Sequence, residues 1–202
     1  MFKKIFFILC GLPAYGIPAE AETCNDFKSC AKVMFEVTQE RYVWGGQNIS
    51  ISAATDIDIT KENAALVFTA LLDQAGFARV PVGDGKTYHI VSVSQRREME
   101  TPIIEASAEQ KPDLPETWDW VTLRYKVRSP ETAKYLENNY RLSVPREARL
   151  IADENTGTVE LTATVPVARK MYATLKGGDK PLTPSFRAKL LREEEGRRKA
   201  EK

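Results

Sequence analysis

The sequence predicts an α+β fold made of two small modules. Three observations carry that prediction. Residues 47–53 and 121–127 alternate apolar and polar side chains, the period of half-buried strands. Ala64, Val67, Phe68, Leu71, Leu72 and Ala75 recur at helical spacing and form one apolar stripe. Between residues 95 and 117 both periods lapse, and Pro102, Pro112 and Pro115 stand among charged residues, the composition of an interdomain linker.

The chain opens on Lys3 and Lys4, an apolar run over 5–17, and Ala19-Glu20-Ala21. That order is a secretory signal peptide, residues 1–21, too short for a membrane span. No second apolar run of spanning length follows, so no direct membrane span is expected and the mature protein should be soluble. Cys10 leaves with the leader. Cys24 and Cys30 remain, an even count in an oxidising compartment, and the simplest reading is one disulfide. A redox-active pair is the sharper alternative, although such pairs usually sit two residues apart. Metal binding through these cysteines and the distant His89 lacks a ligand cluster.

The first module covers 22–94. Asn25 or Asp26 caps a helix to about Gln39, with Phe27, Cys30, Met34, Val37 and Arg41 inward. Residues 42–44 read as a short strand and 47–53 as another, with Ile49 and Ile51 on its apolar face. Thr60 caps the second helix, which Gly76 ends. Residues 77–82, a turn at 83–86 and residues 87–93 form a hairpin, with Tyr88 and Ile90 sharing one face of the returning strand and His89 on the other. A lone strand histidine is most often a surface or satisfied residue.

The linker follows at 95–117, with a short edge strand near Ile103 and Ile104 as the alternative reading of its start. The second module, 118–182, begins with the strand at 121–127. Ser129-Pro130-Glu131 starts a helix carrying Ala133, Leu136 and Tyr140, which Val144-Pro145 breaks. Residues 146–152 and 158–163 form a hairpin around Asp153 to Gly157. A final helix carries Val167, Ala168, Met171 and Leu175 and is expected to stop at Gly177-Gly178. Residues 183–202 read as a charged helical tail, solvated or docked on a partner.

The first module closes its second helix on Leu-Leu-Asp-Gln-Ala-Gly-Phe (71–77) before a short hairpin. In this it resembles the first N-terminal module of bacterial secretins, the outer-membrane channel rings of type II and type III secretion and type IV pili. The same small fold is similar to the short N-terminal signalling domain of some TonB-dependent receptors. The second module's βαββα order, ending in Asp179 and Pro181, resembles the ring-building module of secretins. In that family a strand precedes the first helix; here only Glu22 and Thr23 precede Cys24. The large pore-forming β-rich domain of the family is not within this sequence.

The resemblance implies a non-enzymatic periplasmic scaffold of a secretion or type IV pilus machine, associated with an outer-membrane complex. Its implied partners are a secretin or an inner-membrane secretion or pilus protein, and its own copies in a homo-oligomer ring. Docking is expected at the sheet edges around 49–53 (Ile49, Ile51) and 87–93 (Tyr88, Ile90), with Arg149, Glu160 and Lys170 between neighbouring second modules. The alternatives are a TonB-receptor-like signalling module binding an anti-sigma partner, or a stand-alone envelope protein.

Enzyme, cofactor and nucleic-acid readings find little support. One histidine leaves no nucleophile–base–acid set, and Gly83-x-Gly85-Lys86 is a hairpin turn rather than a phosphate loop. Lys and Arg number 29 against 28 Asp and Glu, so no overall field draws nucleic acid. The KH modules that share a βαββα order need a Gly-x-x-Gly loop, which is missing.

Overall fold

The structure, a computed structural model, describes residues 24–200 except 25, 47, 52–58, 84 and 99. The leader therefore lies outside the described residues, as do Asn25 and the second half of the 47–53 segment.

Asp26 caps α1 (Phe27–Thr38): its carboxylate accepts the Ser29 amide at 2.9 Å, and the Ser29 hydroxyl accepts the Asp26 amide in return. Phe27, Cys30 and Met34 face the core. Cys24 and Cys30 form the disulfide, which fastens the segment before the helix to its first turns. Arg41 is not on the helix face. Gln39 turns left-handed at φ 63°, and Arg41 opens β1 (Arg41–Trp44) as an exposed residue.

Before α2 (Ala64–Gln74), Asn63 Oδ1 accepts the Thr60 amide, and the Thr60 carbonyl accepts the amides of Asn63 and Ala64. Thr60 thus starts a turn that feeds the helix, and the regular helix begins at Ala64. Gly76, at φ 78°, lets the chain leave α2 straight into β2 (Phe77–Val82). β2 pairs antiparallel with β3 (Thr87–Ser92), and β1 pairs with β3 in parallel, giving the order β1-β3-β2.

Two sequence expectations change here. Residues 48–51 are not a strand. Ile49 and Ile51 are buried in the helix-side core while Asn48 and Ser50 are exposed. The alternation is real in burial, but the place beside β3 belongs to β1, and residues 48–51 pair with no described strand. The hairpin's returning strand is also no edge: β3 is central, and among the described strands β1 and β2 are the edges.

A 3-10 turn at Val93–Glu98 leads towards β4 (Ile103–Ser107). The edge strand considered near Ile103 is therefore present, within the segment read as linker. It pairs in parallel with β5 (Trp120–Lys126). After a 3-10 turn at Pro130–Thr132 come α3 (Ala133–Tyr140), β6 (Arg149–Asp153), β7 (Thr158–Thr164) and α4 (Val165–Gly178). The sheet order is β4-β5-β7-β6, with α3 and α4 over one face. Leu123, Tyr125, Leu136, Val159, Leu161 and Leu175 are fully buried between the layers.

The last hairpin is tighter than its turn composition predicts. Gly157 has φ 65°, and a Cβ there would lie 3.0 Å from Pro130 Cγ and 3.2 Å from Pro130 Cα. Gly157→Ala should cost about 1–3 kcal/mol through the left-handed backbone and overpacking. The check is a urea midpoint; an unchanged midpoint would mean that Pro130 yields freely. α4 ends at Gly178, at the expected glycine pair, with Asp179 as its C-cap. The absence of a side chain at Gly178 leaves room for Tyr140, whose hydroxyl would lie 2.6 Å from an added Cβ.

The tail is helical: α5 (Pro184–Ala200). It rests on α3 through its first turns. Phe186 meets Tyr135 edge-on at 5.3 Å, Arg187 pairs with Glu131, and Lys189 stands 5.7 Å from the Tyr135 ring centre.

Candidate functional site

Among the described residues, no group of three or more His, Cys, Asp or Glu is placed to hold a metal ion. No described helix is long and apolar enough to cross a membrane. The features that remain are surfaces and the junction that orients them.

α1 and α2 cover the face of the first sheet that carries Tyr42, Trp44 and Ile90. Phe27 meets Trp44 edge-on at 4.8 Å, and Tyr42 lies 4.7 Å from Phe68. Alternation therefore turns Arg41, Val43, His89, Val80 and Val82 to the opposite face. Register aligns Val43, His89 and Val80 in one row, and Arg41, Thr87 and Val82 in the next. Val43 is 53% exposed and Val82 49%. The first sheet thus presents valines around a single exposed histidine.

The sequence-derived docking residues fall elsewhere. Ile49, Ile51 and Ile90 are each at most 5% exposed, inside the core. Tyr88 is half-buried beneath the Arg79 guanidinium, which lies 4.3 Å from its ring centre. Arg149 is exposed on β6, and Glu160 is half-exposed on β7, tied to Arg124 at 2.7 Å. Lys170 is exposed on α4, in the helical layer behind that sheet. Arg149 and Glu160 share the open sheet face in adjacent rows; Lys170 does not join them.

That open face is polar and cross-linked. Glu105, Arg124 and Glu160 stand opposite one another on β4, β5 and β7, and Arg124 reaches both carboxylates. In the neighbouring row the hydroxyls of Thr101, Thr122 and Thr162 form a chain. These exposed pairs fix side-chain positions more than they stabilise the fold.

The junction between modules was not anticipated. Arg79 is 6% exposed. It donates two hydrogen bonds to Asp119, at 2.8 and 3.0 Å, and one to Glu40 at 2.7 Å. Burial alone would lower its pKa; the bonds and charge of Asp119, then Glu40, outweigh that and raise it, so the guanidinium stays charged. Burial pushes the Tyr42 hydroxyl upward, and its 2.5 Å bond to Glu40 adds to the rise. A second tie runs from the Trp118 amide to the Thr69 hydroxyl at 2.8 Å. The available signal was Arg79 itself: in a strand whose inward positions are Phe77, Arg79 and Pro81, an inward charge needs buried partners.

No family model and no curated protein matches this chain. Among solved structures it is similar to the N-terminal domain of the secretin XcpQ from Pseudomonas aeruginosa, at 14% identity over 74% of this chain and 59% of that one, with a TM-score of 0.26. It is also similar to the enterotoxigenic Escherichia coli GspC–GspD complex of the type II secretion system, at 14% identity over 76% of this chain and 92% of that one, TM-score 0.28. A third is the Klebsiella pneumoniae type II secretion outer membrane complex of PulD, PulS and the PulC HR domain, at 14% identity over 82% and 40%, TM-score 0.39. The chain spans 59 to 65% of the XcpQ chains it matches. These three are an N-terminal domain of a secretin and two complexes of type II secretion.

Proposed function

We propose that this protein is a non-enzymatic periplasmic scaffold of a secretion or type IV pilus machine. It docks to a secretin or an inner-membrane component through the open face of its first sheet. The observation that carries this reading is the valine surface of Val43, Val80 and Val82 around His89, on the face opposite the helices. Apolar surface of this kind, held on a rigid sheet, is what a partner's apolar side chains require. Among the described strands β1 and β2 are the edges beside it, and they offer backbone groups for an added strand.

Copies of this chain pack into a ring. Arg149 and Glu160 on the open sheet face, with Lys170 on the helical layer behind it, are disposed for sheet-to-helix packing between successive copies.

The test is cross-linking in intact cells with a tag after Lys202, followed by mass spectrometry. Recovery of a secretin or an inner-membrane secretion or pilus protein is expected. Val43→Arg and Val82→Arg should each reduce that recovery several-fold while leaving the circular dichroism spectrum unchanged. Undiminished recovery with both variants would remove the valine face from the reading. Recovery of an anti-sigma protein would replace the scaffold with a signalling module, and self-adducts alone would leave a stand-alone envelope protein.

A further inference from the structure

We propose that the groove between the two modules receives the basic C-terminal helix of a second copy of this chain. This contact is separate from the valine face and does not rest on it.

The groove measures about 370 Å³ and is walled by both modules, with Val93, Trp118, Pro145 and Val167 among its apolar lining. It also carries two carboxylates, Asp73 from α2 and Glu147 from the segment entering β6. Their placement is electrostatically unfavourable. Burial raises the Asp73 pKa, and the charge of Glu147 raises it further. Asp73 also sits in the last turn of α2, where the helix dipole disfavours an anion. Among the described residues neither carboxylate has a salt-bridge partner. An apolar groove with uncompensated negative charge is complementary to a segment that brings cations together with apolar side chains. Trp118, 36% exposed, adds an aromatic surface on which a guanidinium can stack.

The chain supplies such a segment. Residues 183–202 hold seven Lys and Arg against four Glu, with Leu190 and Leu191 among them. Leu191 is 56% exposed and Arg192 is exposed. At 17 residues α5 is about 25 Å long. Its described ties to the rest of the chain are made by Phe186 and Lys189 on α3 and by Arg187 on the 3-10 turn before it. Among the described residues, none of α5 lines the inter-module groove. With its own first turns held on α3, the helix is presented outward, and the groove it fills is a neighbour's. Each copy then offers one groove and one helix, a head-to-tail contact that generates a ring or an open chain.

The test has two parts. In the first, a synthetic peptide of residues 184–202 is titrated into the full chain while tryptophan fluorescence is followed, since Trp118 and Trp120 both line the groove. Saturable binding is expected, weakening as salt rises. In Asp73→Asn/Glu147→Gln, which removes a repulsion and should fold at least as well, the Kd should rise at least tenfold. In the second, sedimentation velocity over a concentration series should give concentration-dependent self-association. That association should weaken at least tenfold both in the double variant and in a chain ending at Pro181. Equal peptide affinity in the double variant, self-association as strong without α5 as with it, or a single concentration-independent species would each overturn the proposal.

Discussion

Arg79→Ala should lower stability by about 3–5 kcal/mol, the range for removing one partner of a buried ion pair. The cost is not the loss of one attractive contact. Asp119 and Glu40 have side chains only 22% and 17% exposed, and without the guanidinium they face each other uncompensated. Tyr88 also loses the cation above its ring. Urea unfolding of wild type is expected to be a single transition, because the clasp couples the modules; in Arg79→Ala it should separate into two. A companion variant, Arg79→Met with Glu40→Gln and Asp119→Asn, removes every charge at once and should recover most of the loss. A loss below about 1 kcal/mol in the alanine variant would mean that water already screens the triad.

Asp179→Ala is expected to cost about 2–4 kcal/mol by unfolding, because a buried hydroxyl and a part-buried amide lose their acceptor. Asp179 is 2% exposed. It accepts the Tyr125 hydroxyl at 3.0 Å and the Arg128 amide at 3.2 Å, tying the end of α4 to the end of β5. Asp179→Asn keeps an acceptor and should cost much less. The pH dependence has a definite sign. Burial raises the carboxyl above the usual aspartate value of 3.8, and the Tyr125 and Arg128 bonds pull it back only in part. The folded state therefore holds this proton more tightly than the unfolded chain. The group's contribution becomes more favourable as pH falls through the raised folded value, and levels off below the ordinary one. Subtracting the Asp179→Asn profile from wild type between about pH 7 and pH 3 isolates it. A difference that moves the other way would show the two hydrogen bonds outweighing burial.

Much of this architecture is legible in the residues themselves. Asp26 caps α1, Gly76 releases α2 into β2, and Leu150 faces Leu161 across the second hairpin, each through a local rule acting over a few residues. What the sequence hides are relations between distant segments. The alternation at 48–51 records burial but cannot say that β1 takes the place beside β3. β4 is legible only as an alternative to linker, because only Ala106 of its five residues is fully buried and its period is weak. The candidate surfaces are harder still. Sequence reasoning favoured Ile49, Ile51 and Ile90 because it placed them on sheet edges open to strand docking, and the fold uses all three as core. Asp73 and Glu147, and likewise Arg79 and Asp119, lie too far apart in the chain for spacing to bring them together.

β4 has one more consequence. The chain leaves the 3-10 turn at Glu98 and is already paired with β5 by Ile103, so only residues 99–102 tether one module to the other. Over so short a tether, the Arg79 side of the junction meets Asp119 at an effective concentration in the millimolar range. A junction with only millimolar intrinsic affinity would then be about half closed, and each further tenfold in affinity closes it about tenfold more firmly. A partner that grips both modules therefore meets them already oriented and loses little freedom in binding, whereas one that must part them works against the tether at every encounter.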